Sequence, residues 1–207
     1  MRSTQIDSTD KHFAARLSSL ASAPVKQSQV GGFLLQVGHT SEFNKSVLAR
    51  SRELLFEVFD DMADDDWEHS LGGMHTIVWQ RDAIVGHASV IQRRLMHLDI
   101  PLRTGYVEGV GVLPTLQGQG IGSLMMAELE SIIAGGYQLG ALGASDAAIN
   151  FYLHRGWVRW QGRSFALTPD GVVRTPDEDD GIFVWPLEQQ IDIDGDLTCD
   201  WRDGDVW

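Results

Sequence analysis

The chain has 207 residues, 43% hydrophobic and 22% charged, which is enough apolar content and length for one buried core. Sixteen Lys and Arg against 29 Asp and Glu give a net charge of −13. That sign argues against nucleic acid or an anionic membrane surface as the main partner and favours a cationic ligand, or no charged ligand at all.

The single cysteine, Cys199, excludes an intrachain disulfide and a thiolate-rich metal site. No run approaches the roughly 18 apolar residues of a membrane span, and the opening segment lacks a signal peptide's apolar stretch. A cytoplasmic location is the expectation. Seven histidines (His12, His39, His69, His75, His87, His97 and His154) show no close pair at a metal-ligand spacing, so no metal is expected.

Residues 1–30 lack sustained periodicity and read as a flexible N-terminal extension, leaving 31–207 as a single domain. Gly32 to Val37 is the first expected strand. Ser41 is placed to cap a helix with an apolar stripe through Phe43, Val47, Leu54, Leu55, Val58 and Phe59. Gly72-Gly73 breaks the chain before two strands, His75–Trp79 and Ile84–Gln92, joined at Arg81-Asp82. Thr104 to Leu113 is a further strand, rich in valine and glycine.

Gln119 to Ala134 predicts a helix, with Ile121, Leu124, Met125, Leu129, Ile132 and Ile133 on one side. After Gly135-Gly136 come a strand over Tyr137–Leu142 and a short helix over Asp146–His154, stopped by Gly156. Later strands fall near Trp157–Trp160, Phe165–Leu167 and Phe183–Trp185. A run of strands followed by β-α-β-α-β implies an α+β (α/β) fold: a mixed sheet with helices on both faces.

The negative charge is uneven. Residues 170–207 hold twelve acids and only Arg174 and Arg202 as bases, a net of −10. Phe183, Val184, Trp185, Ile191, Ile193, Trp201 and Trp207 in the same stretch predict a packed tail rather than a solvated one. A second cluster, Asp60 to Glu68, reads most simply as a solvated face.

Two glycine patterns carry the chemistry. In Gln117-Gly118-Gln119-Gly120-Ile121-Gly122, a strand ends, the chain turns and a helix opens. The unpaired N–H groups and dipole of such a helix start form an anion site suited to a pyrophosphate. In Glu108-Gly109-Val110-Gly111-Val112, glycines inside a strand mark a bulge or a close backbone approach; small residues packing under a helix are the plainer alternative. Downstream, Tyr152 lies in the helix ending at Gly156-Trp157 and is a candidate proton donor.

Together these segments resemble the GNAT superfamily of acetyl-CoA-dependent N-acetyltransferases. Longer strings resemble its aminoglycoside 2′-N-acetyltransferases: Asp66-Trp67-Glu68-His69-Ser70-Leu71-Gly72-Gly73-Met74-His75, Val90-Ile91-Gln92-Arg93-Arg94, Gly105-Tyr106-Val107-Glu108, Arg174-Thr175-Pro176-Asp177 and Cys199-Asp200-Trp201-Arg202-Asp203-Gly204-Asp205-Val206-Trp207. The likeness runs from about residue 33 onward.

The resemblance implies the GNAT acyl-CoA N-acyltransferase fold with a splayed, bulged strand, and direct attack of an amine on the thioester without a covalent enzyme intermediate. Backbone groups of Val110, Gly111 and Val112 are implied to meet the pantetheine arm, with the Val110 N–H on the acetyl carbonyl. Gln117, Gly118, Gln119, Gly120, Ile121 and Gly122 are implied to hold the pyrophosphate. Tyr152 is the implied acid for the thiolate; Glu108, through water, and the terminal carboxylate of Trp207 are the implied proton acceptors. Asp61, Glu108, Gly109, Gly143, Asp177, Glu178, Asp205 and Trp207 align with substrate-contacting positions.

Gly143 departs from the family pattern, which places a serine there. A homodimer is a family expectation. The same residues leave two other readings open: a GNAT enzyme for another polycationic amine such as a polyamine, and a domain that binds an aminoglycoside without turnover. Cys199 is expected to be structural, and Arg93-Arg94 to form an ion pair or lie near coenzyme A.

Overall fold

Apolar residues alternate along the strands and split between two faces. Ile77 and Val78 are both fully buried, yet Ile77 packs with Phe43 and Leu54, while Val78 packs with Met125 and Leu129. Neighbouring strand residues point to opposite faces, so these two sets lie on opposite sides of one sheet. The computed structural model describes residues 25–30, 32–186 and 191–207. Among them run eleven strands and four α-helices: β1 (Lys26–Val30), β2 (Phe33–His39), α1 (Lys45–Val58), α2 (Asp64–His69), β3 (Met74–Gln80), β4 (Ala83–His97), β5 (Ile100–Val112), α3 (Ile121–Gly136), β6 (Leu139–Gly143), α4 (Ile149–His154), β7 (Val158–Arg159), β8 (Ser164–Thr168), β9 (Gly171–Arg174), β10 (Ile182–Pro186) and β11 (Leu197–Cys199).

The sheet order is β1-β2-β3-β4-β5-β6-β10-β7, with β11 joining β4 to the β8–β9 hairpin. Pairing is antiparallel except for β5–β6 and β11–β8, so the sheet is mixed as the element order implies. A second core cluster gathers Leu95, Tyr106, Ala141, Trp160, Val184, Leu197, Cys199 and Trp207 around the C-terminal half. The tail is therefore packed, and Cys199 is 1% exposed within that core. Among the described residues, no helix is long and apolar enough to cross a membrane.

Several boundaries differ from expectation for physical reasons. The sheet begins at Lys26, inside the segment assigned to the extension, because an edge strand of sequence KQSQV carries no apolar alternation. The flexible arm expected over residues 1–24 lies outside the described residues. Ser41 sits in a short 3₁₀ turn, and the helix starts only after Asn44. The acidic cluster is not simply a solvated face. Asp64, Asp65 and Asp66 form the first turn of α2, where carboxylates suit the positive end of a helix, and Trp67 beside them is buried.

Two ion pairs tie distant segments together, one on the sheet and one between helices. Arg93, 4% exposed, donates through Nε to Asp200 Oδ1 (2.8 Å) and through Nη2 to the carbonyls of Asp200 (2.9 Å) and Val206 (2.8 Å). It is the structural ion pair expected of Arg93-Arg94, and it holds the last residues across β4. Glu130 of α3 accepts from Arg155 Nε (2.8 Å) and Trp157 Nε1 (3.0 Å), anchoring the end of α4 to the longer helix.

Candidate active site

Strand β5 is the hinge of the site. Its pairing with β6 covers only Thr104 to Tyr106, so beyond Tyr106 the two strands separate. On its other side the register with β4 shifts between His87 and Ser89: Gly111 faces His87, and Glu108 faces Ser89. Two residues, Gly109 and Val110, thus oppose Ala88 alone, which defines a bulge. Gly109 has φ +56°, and a Cβ there would lie 2.9 Å from both Leu55 Cδ1 and Ser70 Oγ. At Gly111 an added Cβ would stand 2.8 Å from Leu55 Cδ2. The two readings of this glycine pair are therefore both correct: α1 packs directly onto a bulged strand.

Where β5 and β6 part, a cleft of about 600 Å³ opens. Val107, Glu108, Gly109 and Val110 form one wall, and Gly143, Ala144, Ser145, Ala148 and Tyr152 the other. Asp61, Asp66, Glu178, Asp205, Arg202 and Trp207 surround the mouth. Of the residues singled out from sequence, Asp61, Glu108, Gly109, Val110, Gly143, Tyr152, Glu178, Asp205 and Trp207 all line this one cleft. Asp177 does not: it is exposed on the short turn beside Glu178. Asp179 is tied to the Arg174 guanidinium and accepts from Ser164 Oγ (2.9 Å), so within the acidic run it is Glu178 that reaches the cleft.

The glycine loop lies at the start of α3. Gly118 and Gly120 have φ of +75° and +82°, the left-handed region that costs an L-residue about 1–2 kcal/mol. Gly120 is the N-cap residue, and no side chain caps this end of the helix. Ile121 is 2% exposed and anchors the loop in the core, while Gln117 Nε2 donates to the Val112 carbonyl at 3.2 Å. The loop follows β5 after one short turn, so the bulge and the helix start are fixed to the same strand end.

Electrostatics divide the cleft. Five acidic side chains (Asp61, Asp66, Glu108, Glu178 and Asp205) face two basic ones, Arg202 and His69. Burial pushes the Glu108 carboxyl up to about 7, against the pull of the Arg202 guanidinium beside it. Burial also raises Glu178, helped by the nearby charges of Asp205 and Asp177, and lowers His69, helped by Arg202. Tyr152, 5% exposed, is held well above the usual tyrosine range by burial, so its hydroxyl keeps its proton at neutral pH. Cys199 is pushed up to about 11 by burial in the core, as a structural thiol should be.

Arg202 is a cleft residue that sequence reasoning missed, as it missed Asp66 and His69. Its Nη1 pairs with Glu108, its Nη2 donates to the Trp207 carbonyl (2.7 Å), and its Nε to the Asp205 carbonyl (2.7 Å). Trp207 is fixed further by Nε1 donating to Thr175 Oγ1 (2.9 Å) and by its own N–H donating to Asp205 Oδ1 (3.0 Å). The signal was present: Arg202 is the sole base in the acidic closing string from Asp200 to Asp205.

The GNAT acetyltransferase family model matches residues 43–157, more than half of the chain and the whole of the strand-loop-helix just described. A protein named aminoglycoside 2′-N-acetyltransferase from Mycolicibacterium fortuitum is 46% identical over 193 residues, 90% of this chain and 97% of that one. The chain belongs to the GNAT acetyltransferase family, and within it to the family of this relative. Solved structures agree on the GNAT fold. A Brucella melitensis GNAT acetyltransferase in complex with acetyl-CoA superposes with a TM-score of 0.53 at 14% identity, covering 79% of this chain and 94% of its own. An acyl-CoA N-acyltransferase from Pseudomonas aeruginosa gives 0.53 at 12% identity, over 73% of this chain and 98% of that one.

Proposed function

We propose that the protein transfers the acetyl group of acetyl-CoA to the 2′-amino group of an aminoglycoside, an activity that gives resistance to such antibiotics. The single observation carrying the substrate reading is the convergence of five carboxylates from four separate segments on the cleft of a GNAT acetyltransferase. An aminoglycoside carries several ammonium groups, and each gains on the order of 4 kcal/mol about 4 Å from a carboxylate at an effective dielectric near 20, before desolvation.

Acetyl-CoA supplies an acyl group activated as a thioester. The bulge and loop fit it: Val110, Gly111 and Val112 present backbone groups on the edge that β6 leaves unpaired, and Gln117 to Gly122 form an uncapped helix entry suited to a pyrophosphate. In this reading the Val110 N–H donates to the acetyl carbonyl, stabilising negative charge as it develops. Glu108, through water, accepts the proton of the attacking amine, with Trp207 as the second candidate; Arg202 holds both in place. Tyr152 gives its proton to the departing thiolate. Asp61, Asp66, Glu178 and Asp205 hold the other ammonium groups. Gly143 sits between Tyr106 and Trp207, and a Cβ there would stand 3.6 Å from the Tyr106 hydroxyl oxygen, so its lack of a side chain widens that corner. A cytoplasmic location and a homodimer extend the same reading.

The test follows coenzyme A thiol release with aminoglycosides that differ only by an amine or a hydroxyl at the 2′ position. Release with the amine alone is expected. Equal turnover of the 2′-hydroxyl compound refutes the regiochemistry, and binding without release refutes catalysis.

A further inference from the structure

Two buried histidines on the α1 face meet across the β3–β4 hairpin. His75 Nδ1 lies 2.9 Å from His87 Nε2, and both side chains are fully buried. Their partners set every proton on the pair. His87 Nδ1 is 3.0 Å from the carbonyl oxygen of Gly109, which can only accept, so His87 carries its proton on Nδ1. Burial lowers His87 to about 4 and His75 to about 3, so both rings are neutral and His87 Nε2 is an acceptor. His75 therefore donates from Nδ1 and must accept at Nε2. The hydroxyl of Thr40, 2.7 Å away, is the donor that meets it; the Gly73 carbonyl, 3.3 Å from the same oxygen, is the longer, competing acceptor for that proton. Thr40 Oγ1 in turn accepts from the Gly72 N–H at 2.8 Å.

The result is a one-way chain: Gly72 N–H to Thr40, Thr40 to His75, His75 to His87, and His87 to the Gly109 carbonyl. It ends inside the bulge. All peptide bonds of the described residues are trans, and a trans peptide sets its C=O and the following N–H in opposite directions. The Gly109 carbonyl faces His87, so the N–H of Val110, across the same peptide plane, points away from His87. Val110 lines the cleft.

We propose that Thr40, His75 and His87 are positioning residues for acetyl transfer: they lock the Gly109–Val110 peptide plane so that its N–H points at the thioester carbonyl. This inference rests on the acetyltransferase reading above, in which that N–H stabilises the developing oxyanion. The chain also polarises the peptide. A carbonyl accepting a hydrogen bond makes its own amide a stronger donor, and linked hydrogen bonds reinforce one another. The direction of each bond matters. If His75 carried its proton on Nε2, two acceptor nitrogens would face each other across 2.9 Å and the chain would break.

The experiment measures the infrared carbonyl stretch of acetyl-CoA labelled with ¹³C at the acetyl carbonyl, free and bound, alongside steady-state kinetics. In the wild-type protein the bound stretch falls below the free one. In His87→Leu, which has no donor for Gly109, that shift shrinks by at least half. Its kcat falls ~10–100-fold, less than the ~10²–10³ of losing an oxyanion donor outright, with KM for acetyl-CoA little changed. His87→Asn keeps a donor at the Nδ1 position and restores most of both. Thr40→Val, at the outer end of the chain, folds without a buried deletion and gives a smaller change in the same direction. It supplies the test if His87→Leu does not fold. An unchanged shift in both His87→Leu and Thr40→Val, or a His87→Asn variant no better than His87→Leu, overturns the inference while leaving the acetyltransferase reading intact. No downshift in the wild-type protein overturns both.

Discussion

The two ends of the cleft are built from different materials. The end proposed for the coenzyme is almost entirely backbone: a bulge, an unpaired strand edge and the first amides of α3, all within about fifteen consecutive residues from Glu108 to Gly122. The amine end is side chains, delivered from α2 and the loop before it, from β5, from the turn at Glu178 and from the closing residues. A thioester with a pyrophosphate is the same in every reaction cycle, and fixed amides meet it without reorganising. A polycation varies in the placement of its charges, and an array of carboxylates on separate segments can vary with it. The contrast makes distinct predictions for variants at each end.

The largest effect is expected at Glu108. Glu108→Gln keeps the shape and removes the base, so kcat should fall by ~10²–10⁴ while acetyl-CoA affinity stays within twofold, read by initial rates and calorimetry. The wild-type kcat/KM should rise with pH through a limb near 7, because the reactive carboxylate accumulates as pH passes the raised value of Glu108. At the backbone end, Gly120→Ala forces a side chain into φ +82°, and KM for acetyl-CoA should rise about tenfold with aminoglycoside affinity unchanged. If aminoglycoside affinity fell equally, the two ends would not be separate.

Arg202 acts within the amine end, through Glu108. Its guanidinium pulls Glu108 downward, so Arg202→Gln should move the acid limb of the pH profile above 7; a limb at the same pH would remove Arg202 from control of the base. The smallest effect belongs to the rim. Glu178→Gln should raise the aminoglycoside KM ~2–5-fold at low salt and less at high salt, as for other partly exposed charges.

This contrast also explains what the sequence made legible. Gln117 to Gly122 and Glu108 to Val112 are local, and conformational need at glycine is written in the residues themselves. The tail was legible as packed because Phe183, Val184 and Trp207 accompany its acids and are buried; Trp201, counted with them, is 48% exposed. Arg202 was not legible, because its partner Glu108 lies 94 residues away and only folding joins them. His75 and His87 escaped notice for a related reason: spacing along the chain looked too wide for a pair, yet twelve residues across a hairpin bring them into contact. The boundary at residue 30 cut β1 off from the domain, since a polar edge strand is defined by the neighbour it pairs with.

The central claim is that a carboxylate-lined GNAT cleft delivers one amine of a polycation to the bulged strand. It is tested most directly by isolating the product of acetyl-CoA and an aminoglycoside bearing a 2′-amine and assigning the acetylated nitrogen by two-dimensional NMR. A single acetyl group on the 2′ nitrogen is the predicted result. Acetylation at another nitrogen, a mixture, or no product would contradict the account.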